Sequence, residues 1–170
     1  MKISRTLSVI LIIVANIALD QISKVIVRAN ISKTDHISLI GDYFTMMNVE
    51  NTGAFLGMGS DLNSSIRIIV LMVIPVLVLG YLIYYILKNK TLDKISLVAL
   101  SCIAGGGIAN VYDRIVLGSV TDFLHIDLGG IFRTGIFNIA DVSVSAGMIT
   151  LLIVSFINKK STSNTEKAST

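Results

Sequence analysis

Two aspartates occupy places where an apolar chain should not tolerate them. Asp122 stands in Val120-Thr121-Asp122-Phe123, and Asp141 in Phe137-Asn138-Ile139-Ala140-Asp141. A carboxylate in a lipid-facing bundle is costly, so each needs a partner or a task. If the two converge, like-charge repulsion splits their titration, and one keeps a proton while the other ionises. The ionised member can deprotonate a water. The protonated member can donate to a scissile carbonyl and then help the amine leave. That is the chemistry of an aspartyl peptidase. The same pair can instead serve as an ion or proton site, and spacing alone leaves both uses open.

Other polar residues are grouped as if to support such a site. Asp20 and Lys24 are four apart with the acid first, the favourable order for a helical ion pair. Asn110, Asp113 and Arg114 follow the run Ala104-Gly105-Gly106-Gly107-Ile108-Ala109, and their spacing puts them on one helix face. Arg114 is suited to grip a carboxylate bidentately, and Asn110 to satisfy backbone groups. Gly105 and Ala109 form a small-x-x-x-small pair for close helix approach. The two histidines, His36 and His125, lack the spacing of a metal motif, so no metal is expected. Cys102 sits alone in an apolar run and reads as packing.

The elements that must position these residues are membrane spans. The chain has 170 residues, 53% hydrophobic and 15% charged. A soluble domain carries about 25% charged residues, and the mean hydropathy of +0.79 agrees with a lipid setting. Four stretches suit a bilayer crossing of about 20 helical residues: 7–27, 66–87, 95–115 and 136–157. The first, with Lys2 and Arg5 ahead of it, has a rival reading as a secretory signal peptide. Lys2, Arg5, Lys88, Lys90, Lys94, Lys159, Lys160 and Lys167 fall on one side of these spans, which the positive-inside bias makes the cytoplasm. Both termini are then cytoplasmic, and segments 28–65 and 116–135 lie outside. Short strands are expected around Ile37, Leu39, Tyr43, Phe44 and Val49, building a small cradle. The polar stretch from Ser161 to Thr170 is expected to be a disordered tail. The net charge of +3 has no basic stripe to take nucleic acid.

Five blocks in order carry a resemblance: Asp20-Gln21-Ile22-Ser23-Lys24, Asn51-Thr52-Gly53-Ala54-Phe55, Gly106-Gly107-Ile108-Ala109-Asn110 with Asp113-Arg114, Val120-Thr121-Asp122-Phe123, and Phe137-Asn138-Ile139-Ala140-Asp141. Together the chain resembles the lipoprotein signal peptidases, the signal peptidase II family of bacterial lipoprotein maturation. The resemblance implies an all-α membrane protein of four transmembrane helices, forming one domain over 1–160, with an extracytoplasmic β-cradle and a short surface helix within about 35–60. It implies an aspartic endopeptidase that cuts prolipoproteins just before a diacylglyceryl-bearing cysteine, with Asp122 and Asp141 as the catalytic pair. Asp20, Lys24, Asn51, Gly53, Asn110, Asp113, Arg114, Asn138 and Ala140 match positions that bind substrate or support the site. No cofactor is implied. The expected setting is the bacterial cytoplasmic membrane, with the site at its extracytoplasmic face, membrane lipid around it and a monomeric chain. Block by the cyclic peptide globomycin is expected. The stretch Leu124 to Gly135 matches no motif. The alternative reading, a small ion- or proton-coupled carrier, places its sites at the bilayer midplane, whereas these acids gather toward one surface.

Overall fold

The computed structural model describes residues 4–54, 58–59 and 63–168. Among these residues four helices are long and apolar enough to cross a membrane: α1 (Arg5–Asn30), α2 (Ser64–Lys88), α3 (Lys94–Leu117) and α4 (Ile139–Ala168, apolar over Ile139–Asn158). Local signals set their ends. Ser4 caps α1 by accepting from the Leu7 N–H, and Asp93 caps α3 by accepting from Ile95 and Ser96. Gly118 ends α3 in the left-handed conformation at φ 77°. α1 continues unbroken through Asn30 and buries Asp20 and Lys24 in the bundle, so it packs as a span rather than standing apart as a leader.

α3 is the central helix, and three consecutive glycines make it so. A Cβ on Gly105 would lie 2.7 Å from Asn16 of α1, and one on Gly106 would lie 2.5 Å from the Ala140 carbonyl oxygen of α4. One on Gly107 would lie 2.6 Å from Leu79 of α2. Successive residues point about 100° apart around a helix, so the triplet lets three neighbours close in from three directions. In lipid such closeness supplies van der Waals contact that hydrophobicity cannot.

α2 contains a five-residue π-helical stretch, Ile69–Val73. Pro75 stands two residues after it and cannot donate to the Leu71 carbonyl, which explains the local widening.

At one end of the bundle lies an antiparallel sheet in the order β1 (Ile37–Ile40), β2 (Phe44–Asn51), β3 (Val120–Ile126). The strands expected in 28–65 are β1 and β2. β3 comes from the other connecting segment and ties the two together. The β2–β3 register shifts by one residue. Met46 faces Leu124, but Val49 faces Asp122 and Asn51 faces Val120. Without that bulge Asn51 would oppose Ser119 and share the face of Thr121. The extra residue turns Asn51 onto the face of Asp122.

Three expectations change. The fourth helix begins at Ile139 rather than near 136, because Asn138 is its cap. No separate surface helix stands among the described residues, and residues 55–57 and 60–62, where part of that expectation falls, lie outside them. The helix α4 continues through Ala168, across the stretch predicted as a disordered tail. Extending an existing helix needs no new nucleus, so polar residues can carry it on.

The glycine triplet gives a contrast to test. Gly106→Ala meets the backbone of α4 and should cost about 1–3 kcal/mol, lowering the melting temperature in detergent. Gly107→Ala meets only the far end of a leucine side chain and should melt within a few degrees of the parent.

Candidate active site

A buried ammonium group organises the polar interior. Lys24 and Asp20 are 0% exposed, as is Asp113. Lys24 Nζ lies 2.6 Å from Asp20 Oδ2, 2.7 Å from Asp113 Oδ2 and 2.9 Å from Asn110 Oδ1. Its three protons are therefore all engaged. Gln21 ties the same acids together, donating to Asp113 Oδ1 at 2.8 Å. The second oxygen of Asp20 accepts the Ala140 N–H at 2.9 Å, so α1 grips the first turn of α4. The two carboxylates and the ammonium leave one negative charge, and the positive N-terminal end of α4 lies against it.

Asn110 passes this order on. Its oxygen faces the ammonium, so its amide nitrogen must face the other way, and it donates to Asp141 Oδ1 at 2.9 Å. Asn138 and Asp141 form a reciprocal cap of α4. The Asp141 N–H donates to Asn138 Oδ1 at 2.9 Å, and the Asn138 N–H donates to Asp141 Oδ2 at 3.1 Å. With its oxygen so used, Asn138 aims its amide nitrogen at Asp122 Oδ1, 2.6 Å away. Asn51 does the same from the sheet. Its oxygen accepts the Gly53 N–H, and its nitrogen donates to Asp122 Oδ2 at 2.8 Å. Each of the four carboxyl oxygens of Asp122 and Asp141 thus receives one fixed donor. Both carboxyls bond to Asn138 and line one small space of about 10 Å³ with Asn51 and Asn110. That is about the room one water needs.

Three larger clefts meet at this pair. Two are lined mainly by apolar residues and include Asp141. One, of about 350 Å³, runs past Phe137, Val142 and Ile149, and another, of about 590 Å³, past Leu71, Pro75, Val144 and Met148. The third, of about 490 Å³, borders Asp122 and carries more polar residues, with Glu50, Asn51, Thr52, His125 and Arg133 along it. Burial pushes the Asp122 carboxyl up to about 6. The Asn51 amide opposes the rise, the nearby Asp141 charge adds to it, and the Asn138 amide and the Lys24 charge oppose it.

All eleven residues singled out in the sequence lie in or directly behind this cluster, but their parts differ from expectation in places. Asp20, Lys24, Asp113 and Ala140 are sealed from solvent, which makes them supports rather than contacts. Among the described residues Arg114 grips no carboxylate. It donates to the Gly53 and Asn110 carbonyls at 2.8 and 3.2 Å and so holds the loop after β2 over the pair. Asn110 satisfies side chains, not backbone. Gln21 was missed, although an amide inside an apolar span beside Asp20 is a legible signal. Arg28, Thr121, Glu50 and Ser119 form a further chain behind Asp122, with bonds of 2.8, 3.1 and 2.6 Å, and no spacing rule reveals it.

A family model described as signal peptidase (SPase) II matches residues 12–157. The chain is 38% identical to a lipoprotein signal peptidase of Borrelia hermsii over 167 residues, covering 94% of this chain and 96% of that one. It is 36% identical to a lipoprotein signal peptidase of Clostridium tetani over 151 residues, covering 89% and 92%. A solved bacterial membrane enzyme, determined by the in meso method at 2.3 Å, is similar with a TM-score of 0.79 at 28% identity, covering 89% of each chain. The carrier alternative finds no support among these relatives.

Two outcomes follow from the geometry. The Asp122 pKa lies above its ordinary 3.8, so folding favours the protonated form. This group's contribution to stability is full below that value and is lost as pH rises through about 6. A carbon-13 carboxyl resonance with a midpoint near 6 should appear in the empty protein and vanish in Asp122→Asn. Lys24→Met leaves two buried acids without their cation and should destabilise by about 3–5 kcal/mol, read as loss of folded protein in detergent melts.

Proposed function

The chain belongs to the signal peptidase II family, and on that premise we propose that Asp122 and Asp141 cut the signal peptide from diacylglyceryl-modified prolipoproteins, just before the lipid-bearing cysteine. The observation that carries the assignment is the set of four fixed donors, one to each oxygen of two carboxyls that share a water-sized space.

In the proposed reaction Asp122 holds the proton and Asp141 is ionised at the positive end of α4. A water between them gives a proton to Asp141 while its oxygen bonds to the scissile carbonyl carbon. The carbonyl oxygen takes a hydrogen bond from the Asp122 acid as charge develops on it. The C–N bond then breaks, and the departing nitrogen takes up a proton from the dyad. Asn51, Asn110 and Asn138 orient the two acids. Asp20, Lys24, Asp113 and Ala140 hold those orienting groups, and Arg114 with Gly53 fixes the loop above them.

A diacylated substrate is dissolved in the bilayer, and the two apolar clefts beside Asp141 suit a bond that arrives from lipid. Moving acyl chains out of water is worth about 0.8 kcal/mol per methylene. Because the substrate already sits in lipid, selectivity rests on fit around the modified cysteine. The lysine-rich turn between α2 and α3 supports a cytoplasmic place for the end opposite the sheet. The site then lies at the extracytoplasmic face of the bacterial cytoplasmic membrane, in a chain that works as a monomer.

Purified protein in detergent should cleave a diacylated precursor and stop when a globomycin-like cyclic peptide is added. Asp122→Asn and Asp141→Asn should each lower turnover by roughly a thousandfold or more while remaining in the membrane fraction. Normal turnover in either variant removes that residue from the pair.

A further inference from the structure

We propose that the polar cleft beside Asp122 receives the polypeptide that follows the modified cysteine, and that Arg133 there reads an acidic side chain of that segment. The inference rests on the peptidase reading and adds a specificity-determining residue to it. A lipidated precursor has three branches at its scissile bond: an apolar signal helix, acyl chains, and a chain that continues into water. Among the described residues three clefts meet at the dyad, and this is the one in which polar residues outnumber apolar ones.

Within the cleft most polar groups are already committed. The Glu50 carboxylate accepts from Ser119 and Thr121, and the Asn51 amide is bound to Asp122. His125 is 9% exposed, and its Nδ1 lies 3.4 Å from the Gly135 carbonyl oxygen. Its Nε2 accepts from Arg133 Nε at 3.3 Å, and Asp127 Oδ2 lies 3.4 Å from the same Nε. These two acceptors hold the guanidinium by its inner nitrogen. Its two terminal nitrogens bond to nothing among the described residues, and the side chain is 69% exposed. A guanidinium presenting a free pair of N–H donors is built for a carboxylate.

Distance selects where in the substrate that carboxylate sits. His125 is three residues along β3 from Asp122, about 10 Å at the rise of a strand. An extended chain leaving the scissile bond covers that distance at its second or third residue after the cysteine.

The test uses full-length enzyme in detergent and diacylated precursors that carry either Asp or Asn at those two positions. Wild type should show a kcat/KM about three- to fivefold higher for the acidic precursor, the effect of one solvent-exposed ion pair, mostly through KM. In Arg133→Gln the ratio should fall to one. An unchanged ratio in that variant, or no preference in wild type, overturns the assignment. If added phosphatidylglycerol raises KM alike for both precursors only when Arg133 is present, the guanidinium serves lipid phosphate and the assignment is likewise overturned. If wild type cuts neither precursor, the peptidase reading itself falls, and the cleft assignment falls with it.

Discussion

One buried ammonium sets the orientation of almost every group around the acids. Lys24 cannot be left unpaired inside the bundle, because an isolated charge there costs far more than the fold can supply. Its three protons therefore dictate where Asp20, Asp113 and the Asn110 oxygen must sit. An amide has one acceptor end and one donor end, so anchoring the oxygen of Asn110 aims its nitrogen at Asp141. Asn138 and Asn51 obey the same logic with backbone N–H groups as anchors. Charge compensation deep in the bundle is converted, by the polarity of three side-chain amides, into donors aimed at two carboxyls. The desolvation cost of Asp122 persists despite its two donors, and its raised pKa is the sign of it.

The backbone contributes through two departures from regularity. The glycine triplet of α3 lets α4 approach until its first turn lies against Gly106, which places Ala140 within reach of Asp20. The one-residue slip between β2 and β3 brings Asn51 to the face of Asp122. Either feature, regularised, would leave one acid without its donor while the rest of the fold stayed recognisable.

What could be read from the sequence follows from which costs are local. The four spans were legible because uninterrupted apolar length is demanded by the bilayer itself. Asp20 with Lys24, and Asp122 with Asp141, stood out because a charge in such a setting must be explained. β3 was not legible. Most of Val120–Ile126 is buried on both faces, so it lacks the alternation that marks a half-exposed strand, and its partner lies some seventy residues away. The register slip leaves no trace in composition. The bonds of Arg114 to two carbonyls depend on where a distant loop passes. The cap at Asn138, in contrast, was written in the Asn-x-x-Asp spacing, and reading it would have corrected the start of α4.

The reciprocal cap binds chemistry to helix structure. Asp141 Oδ2 accepts the Asn138 N–H, and that bond is strongest while the carboxylate is charged. When the proposed step delivers a proton there, the grip on the helix start weakens, and the Asn138 side chain that also steadies Asp122 gains slack. Under that proposal each turnover would briefly loosen the joint between the fourth span and the return segment from the sheet. In the proposed reaction product departure would draw on that moment of slack, and one side chain would serve as both hinge pin and reagent.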